Sequence, residues 1–560
     1  MQRSLAHAAS ASIARGVNPR YLILLLSAVG VCAGAVAITV IPYGRSFWDF
    51  LFILDGAYRI GLGQVPHVDF ASPIGSLTLY LTYLAERLVP GGQPFVGLHA
   101  LMWLLLLPAL TMLAGRFRNG LHFGAAVALS AIVVLLPYTL DRTTLSEISY
   151  FAIYNRFATG VLFLLGLWYV LPKRRWDGLL LAYLLALLFF LKVTSAAVAV
   201  GLLIAAVLLR RATLRPVALG IAGFAAFCGA VDVGSGLVSG YLRDILFMGT
   251  VNQGGMAHHV AYALYANWVP LAVGAGVFGL AVWSALPLRH AWPRWRHATA
   301  RFLSIEAFAL DAVILLGVAL AAESQNTGGV GLVAASALFF HPDVQGQRSW
   351  RLVGTTLLAA TLVFPLLETD VFRTITGFNR DRIGSSDHPF SALVPGVRVS
   401  TATLEGAKLL RRVSQEWLDL EYEVQANHFF IDTDPASTSP AAQAAWSEDV
   451  VDAAQVFRAK GLAATAHRYA TVAFTNPFPR LLGLTPAQGT PLVLELGRTI
   501  PVFGPEEGAR YLGDADGVFV TRCVLSNGGV TLRTVFQPVL DAQFEPVPLN
   551  PCWDFYHRKT

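Results

Sequence analysis

The sequence predicts a polytopic α-helical membrane protein with a soluble α/β domain at its C-terminal end. Three observations carry this. Of 560 residues, 55% are hydrophobic and only 14% charged, with a mean hydropathy of +0.56, which is too apolar for an ordinary soluble protein. The apolar residues gather in runs near the roughly 20 residues that a membrane span needs. From Glu368 onward those runs stop and charges become frequent. The net charge of +6 does not argue for nucleic acid, because Arg and Lys sit in short clusters between apolar runs, where they act as topology signals.

Residues 1–20 carry Arg3, Arg15 and Arg20, and 21–41 is apolar throughout. That core is too long for a cleaved signal peptide, so it reads as an uncleaved anchor with its N-terminus in the cytoplasm. Next comes FWDFLFILDGAYRIGLGQVPHVDFASPIG, residues 47–75, which concentrates Asp49, Asp55 and Asp69 in a chain otherwise poor in charge. Within it Phe50, Ile53, Leu54, Ala57 and Ile60 fall at helical spacing, predicting an amphipathic helix over 49–62 that lies on the membrane surface. Pro73 opens a further apolar run to Val89, interrupted by Glu86 and Arg87.

Spans are expected over 95–115, 120–138, 157–171, 177–191, 193–209, 217–237, 268–288, 302–322, 328–341 and 352–367, the short ones accommodated by tilt and bilayer thinning. If 73–89 also crossed, the clusters Arg116/Arg118, Lys173/Arg174/Arg175, Arg210/Arg211 and Arg289 to Arg301 would all fall outside. If it stays on the outer surface as a juxtamembrane helix, all four fall inside, and the positive-inside rule selects this arrangement. About eleven spans result, with the C-terminus outside. The loops 43–94, 139–156, 238–267 and 323–327 then share the outer side. Two domains are expected, 1–367 in the membrane and 368–560 outside it.

In the second domain the patterning predicts helices over 403–425 and 440–466 and strands over 490–496, 517–524 and 531–538. Of four cysteines, Cys32 and Cys228 lie in apolar runs. Cys523 and Cys552 either pair, if they face an oxidising compartment, or remain reduced thiols.

Ionisable groups at membrane depth are costly, so each marks a candidate site. Lys192, in FFLKVTSA, falls near the outer end of its span, where its ammonium either meets a lipid-linked phosphate or snorkels to the interface. Asp232 and Asp311 read as structural partners inside the bundle. The loop after Tyr138 crowds Asp141, Glu147, Tyr154, Asn155 and Arg156 together. Its carboxylates suit a divalent cation, Mg or Mn, and its arginine suits a phosphate. The 238–267 loop holds Arg243, Asn252, Gln253, His258 and His259, adjacent histidines that point apart on a helix and pair poorly on a metal. Gln325 and Asn326 sit in the turn ESQNTGG, suited either to sugar hydroxyls or to capping two spans.

The 49–75 stretch resembles the first extracytoplasmic loop of the GT-C superfamily of membrane glycosyltransferases, which includes protein mannosyltransferases and aminoarabinose transferases. Asp49 matches the family's acidic residue after the first span. Gly63, Pro66, His67, Asp69 and Phe70 match its G-x-x-P-H-x-D-F segment, and Pro73 to Gly75 match its closing element. Phe50 stands in place of the second acid of the family's Asp-Glu pair, so a second metal ligand would have to come from elsewhere. The resemblance implies an inverting transfer of a sugar from a polyprenyl-phosphate donor to an acceptor lipid, glycan or protein, at the outer face of a bacterial cytoplasmic membrane. It implies Asp49 as general base, Lys192 and Arg156 at the departing phosphate, and Asp69, His67, Glu147, Tyr154, Asn155, Gln325 and Asn326 as substrate contacts. A divalent cation would sit on Asp49 and Glu147. A flippase of lipid-linked intermediates would instead show internal repeats and broken helices at the midplane, and no repeat is evident. A non-catalytic scaffold leaves the carboxylates of the first loop unexplained.

Overall fold

The computed structural model describes residues 18–42, 47–136, 150, 152–251, 256–285, 307–324, 331–342, 396–417, 439–504, 507–523 and 529–559, with short stretches between 354 and 391. It is mostly helical, and a sheet region occupies the C-terminal part. Among the described residues four helices are long and apolar enough to cross a membrane: Pro19–Ala37, Pro94–Ala114, Ile153–Val170 and Leu214–Ser235. A fifth span results if His259–Tyr265 and Trp268–Gly279, which meet at 73°, are counted together. Gly120–Leu135, Asp177–Leu191 and Val193–Leu208 are apolar but shorter. At about 1.5 Å per residue, a helix of the length of Asp177–Leu191 covers about 22 Å against a hydrocarbon layer of about 30 Å.

Local chemistry sets the helix starts. Asn18 accepts from the Arg20 amide, Gln93 from Phe95 and Asn119 from His122, and proline occupies the first turn at Pro19 and Pro94. Each cap satisfies an amide that the helix itself leaves without a partner.

Polar contacts sort the helix ends into two groups. At one end Arg116 pairs with Asp177 (2.7 Å), Arg211 with Asp311 (2.9 Å), and Lys173 donates to the carbonyls of Trp168, Tyr169 and Leu171. Asp311 also accepts from Tyr169 and meets His341, the structural partnership expected for a buried acid. Asp232, by contrast, lies at the surface, where it accepts the Ser239 amide and closes a helix-to-helix turn. Three of the four basic clusters therefore share one end of the bundle. The 289–301 cluster lies outside the described residues.

The opposite end carries the first loop and the C-terminal region. The helix Trp48–Gly61 and the helix Ser76–Leu88 are both present, but Trp48–Gly61 is buried on nearly every face and is not the amphipathic surface helix its spacing predicts. Trp48 packs edge-on against Trp446 with ring centroids 4.7 Å apart. Strand β1 (Ile41–Pro42) runs parallel to β3 (Val397–Ser400), and β2 (Ser385–Asp387) lies antiparallel on the other side of β3. The second sheet has the order β4 (Tyr469–Val472), β5 (Gly517–Thr521), β7 (Trp553–Arg558), β6 (Phe544–Asn550), with only β4 and β5 parallel. Thr401–Glu416 and Pro440–Ala459 are the amphipathic helices of this region.

Several expectations are corrected here. Residues 531–538 belong to the helix Gly529–Gln543, because Leu532, Phe536, Val539 and Leu540 recur at helical spacing and are the buried face. Residues 490–496 form no strand; their amides reach loop carbonyls, Leu492 to Ala71 and Leu494 to Phe474. The 238–267 loop is largely helical, as Leu237–Val251 and Met256–Ala266. The expected strand over 517–524 is β5, whereas β4 and β7 escaped the sequence reading because β4 and most of β7 are buried on both faces and show no alternation. Cys523 and Cys552 form a disulfide.

Candidate active site at the first loop

Asp49 begins the Trp48–Gly61 helix, which lies outside the apolar bundle, and its carboxyl is buried. The Ala152 amide donates to Asp49 Oδ2 at 2.6 Å. Ala152 adopts a left-handed conformation (φ 52°) just before the Ile153–Val170 helix, so the aspartate fixes a strained residue where two segments meet. Desolvation raises the Asp49 carboxyl to about 7, only partly opposed by the Ala152 amide and by Arg498. Beside Asp49 run Phe50, Phe95 and Tyr150 as an aromatic stack, Phe50 to Phe95 at 3.4 Å and Phe50 to Tyr150 at 4.5 Å between centroids. Phe95 and Tyr150 also line an apolar cavity of about 280 Å³ bounded by Val31, Ile38 and Leu136.

Lys192 interrupts two apolar helices, Asp177–Leu191 and Val193–Leu208, in an extended conformation. Its Nζ donates to Asn155 Oδ1 at 3.0 Å and stands 5.8 Å from the centroid of the Tyr154 ring. Gly75 makes this approach close: its amide donates to the Leu191 carbonyl, and a Cβ there would stand 2.2 Å from the Phe190 carbonyl oxygen. The first loop is thus seated directly on the helix break that presents Lys192.

Two further charged residues reach the same place from the C-terminal region. Arg498 lies within electrostatic reach of Asp49, Tyr154 and Lys192, and Glu495 within reach of Asp49 and Tyr154. Glu323, at the end of the Ala307–Ser324 helix, lies within electrostatic reach of Lys192 as well. The site therefore joins a base-like carboxyl to cations at the end of an apolar bundle. No family model, no curated protein and no solved structure matches this chain.

Of the residues singled out from the sequence, the fold brings Asp49, Tyr154, Asn155 and Lys192 together. Arg156 turns away, donating to the Val133 and Ile132 carbonyls at the end of the Gly120–Leu135 helix. Asp69 Oδ2 accepts the Val65 amide, and its carbonyl accepts the Gly489 amide, so it shapes the loop and docks it. His67 has φ 66° and places Nδ1 2.7 Å from Asp244 Oδ2 with its ring against Tyr241, pinning the loop to the Leu237–Val251 helix. Asp55 is paired with Arg59 at 2.9 Å. Glu147, Gln325 and Asn326 lie outside the described residues. For a divalent cation, the described residues offer no group of three His, Cys, Asp or Glu side chains in ligating range. Arg498 and Glu495 were missed because nothing in LELGRT points to a site in the membrane domain; the pairing arises only from docking.

Proposed function

We propose that the protein is a membrane glycosyltransferase of the GT-C type that transfers a sugar from a polyprenyl-phosphate donor to an acceptor hydroxyl, with inversion. The observation that carries this reading is a buried carboxyl tuned to about 7 within electrostatic reach of Arg498, beside the Tyr154 ring that Lys192 also approaches, at the end of an apolar bundle. A general base works best with a pKa near the working pH, and Asp49 meets that condition. In the reaction Asp49 takes the acceptor proton, the acceptor oxygen bonds to the anomeric carbon, and the bond from that carbon to the donor phosphate breaks. Lys192 stabilises the charge that develops on the departing phosphate. Tyr154 and Asn155 fix the ammonium, and the cavity beside Phe95 and Tyr150 suits an isoprenoid chain.

About eleven helices cross the bilayer in this reading, and the N-terminus with the three basic clusters faces the cytoplasm. The C-terminal region faces the outside, consistent with its disulfide. The test is transfer of radiolabel from polyprenyl-phosphate sugars to membrane extract by purified protein. Wild type is expected to transfer and Asp49→Asn to lose at least a hundredfold. Equal transfer by both removes Asp49 as base, and no transfer from any such donor removes the glycosyltransferase reading.

A further inference from the structure

The turn from Glu495 to Ile500 is rigidly made and anchored to the first loop. Its amides at Arg498, Thr499 and Ile500 converge on the Glu495 carbonyl, and Gly497 donates to Ile500 at 2.7 Å. Thr499 Oγ1 accepts the Glu495 amide and donates to the Val493 carbonyl. Just upstream, Gly489 and Leu492 donate to the Asp69 and Ala71 carbonyls. The turn can therefore shift little relative to the loop that holds Asp49, and its side chains are carried to the site by backbone alone.

Within this rigid turn the Arg498 side chain is held loosely. Its Nη1 stands 3.3 Å from each Glu495 carboxylate oxygen, and the two side chains are 51% and 32% exposed. A pair that long and that wet contributes little and exchanges readily. Arg498 nonetheless lies within electrostatic reach of Lys192, one cation supplied by the C-terminal region and one by the helix break. Like charges within reach of each other repel, and an anion shared by both relieves that repulsion. A phosphate suits the role better than Glu495 does, since it offers a guanidinium two oxygens in a bidentate fork and carries its charge on compact oxygens.

We infer that the Glu495–Arg498 pair is a latch: the phosphate of a polyprenyl-phosphate lipid displaces Glu495 and is clamped between Arg498 and Lys192. The C-terminal region is then part of the lipid-phosphate site and not an appendage to it. This inference rests on the transferase reading for the identity of the lipid, and its test reads binding separately from transfer.

The experiment is equilibrium binding of radiolabelled polyprenyl phosphate, without sugar, to the full-length detergent-purified chain, with neutral polyprenol as the control. The latch predicts that wild type prefers the phosphate, that Arg498→Ala weakens it at least tenfold, and that Arg498→Lys falls between. Glu495→Gln should tighten binding several-fold, an effect that a merely structural pair would not give. Asp49→Asn should bind like wild type while failing to transfer. Binding unchanged in Arg498→Ala, or not tightened in Glu495→Gln, overturns the latch. If the phosphate preference depends on Arg498 but wild type transfers no sugar, the latch stands and the transferase reading falls. If wild type and Arg498→Ala transfer equally well at limiting donor, the latch falls and the transferase reading stands.

Discussion

Asp49 costs the protein stability in the charge state that the proposed reaction needs. Its carboxyl titrates near 3.8 when unfolded and near 7 when folded, because burial disfavours the ion. A folded pKa raised in this way contributes stability that is complete below about pH 4 and is lost as pH rises through about 7. Asp49→Asn keeps the shape without the ion. It should therefore melt higher than wild type above pH 7, by up to about 4 kcal/mol of stability, and show no gain near pH 4. Thermal unfolding at the two pH values checks this, and a variant less stable at both would contradict it. Asp49 was legible in the sequence because a carboxylate following an apolar span has few bland explanations. Asp69 and His67 looked equally suggestive, yet they spend their polar atoms on loop geometry, which no spacing reveals. Arg498 lies hundreds of residues downstream, and docking alone brings it to Asp49.

Among elements, the seat of the Ser76–Leu88 helix on the Lys192 break depends on one missing Cβ. Gly75→Ala would drive a methyl into the Phe190 carbonyl, costing about 1–3 kcal/mol and shifting Lys192. The expected result is a lower melting temperature together with weaker donor binding; an unchanged Tm would contradict it. In the C-terminal region Arg411 joins the helices Thr401–Glu416 and Pro440–Ala459 by donating to Asp449 at 2.6 Å and to Asp452. Burial raises the Asp449 carboxyl to about 6 even with Arg411 beside it. Arg411→Ala should therefore cost about 3 kcal/mol at pH 7.5, where a buried ion is left without its partner, and less at pH 5, where the carboxyl is protonated. Melting at both pH values tests this. The helices were readable because runs of apolar residues near span length have one dominant explanation in a chain this apolar. Of the second sheet only β5 was readable, within the expected strand 517–524; β4 and most of β7 are buried on both faces, and a short apolar run suits helix or strand alike.

At the scale of the whole molecule, the fold joins the first loop to the C-terminal region by many separate contacts. Arg59 donates to the Ala487 carbonyl and to Thr490, Glu86 pairs with Arg480 at 2.7 Å, and the Phe47 amide donates to Gln443. Glu86, which interrupts an apolar run, is thereby explained as an interface charge on a helix that need not cross the bilayer. Single cysteines at Arg118 and Arg174 should be labelled from the side opposite to one at Val502, which is exposed on the C-terminal region. Labelling of all three from one side would overturn the shared topology. The most direct measurement of the central claim is the pH dependence of sugar transfer at saturating donor. With Asp49 as base, the wild-type rate should rise about tenfold per unit up to about pH 7 and then level, while Asp49→Asn stays low and flat. A variant that transfers at the wild-type rate with the same pH profile would contradict the account.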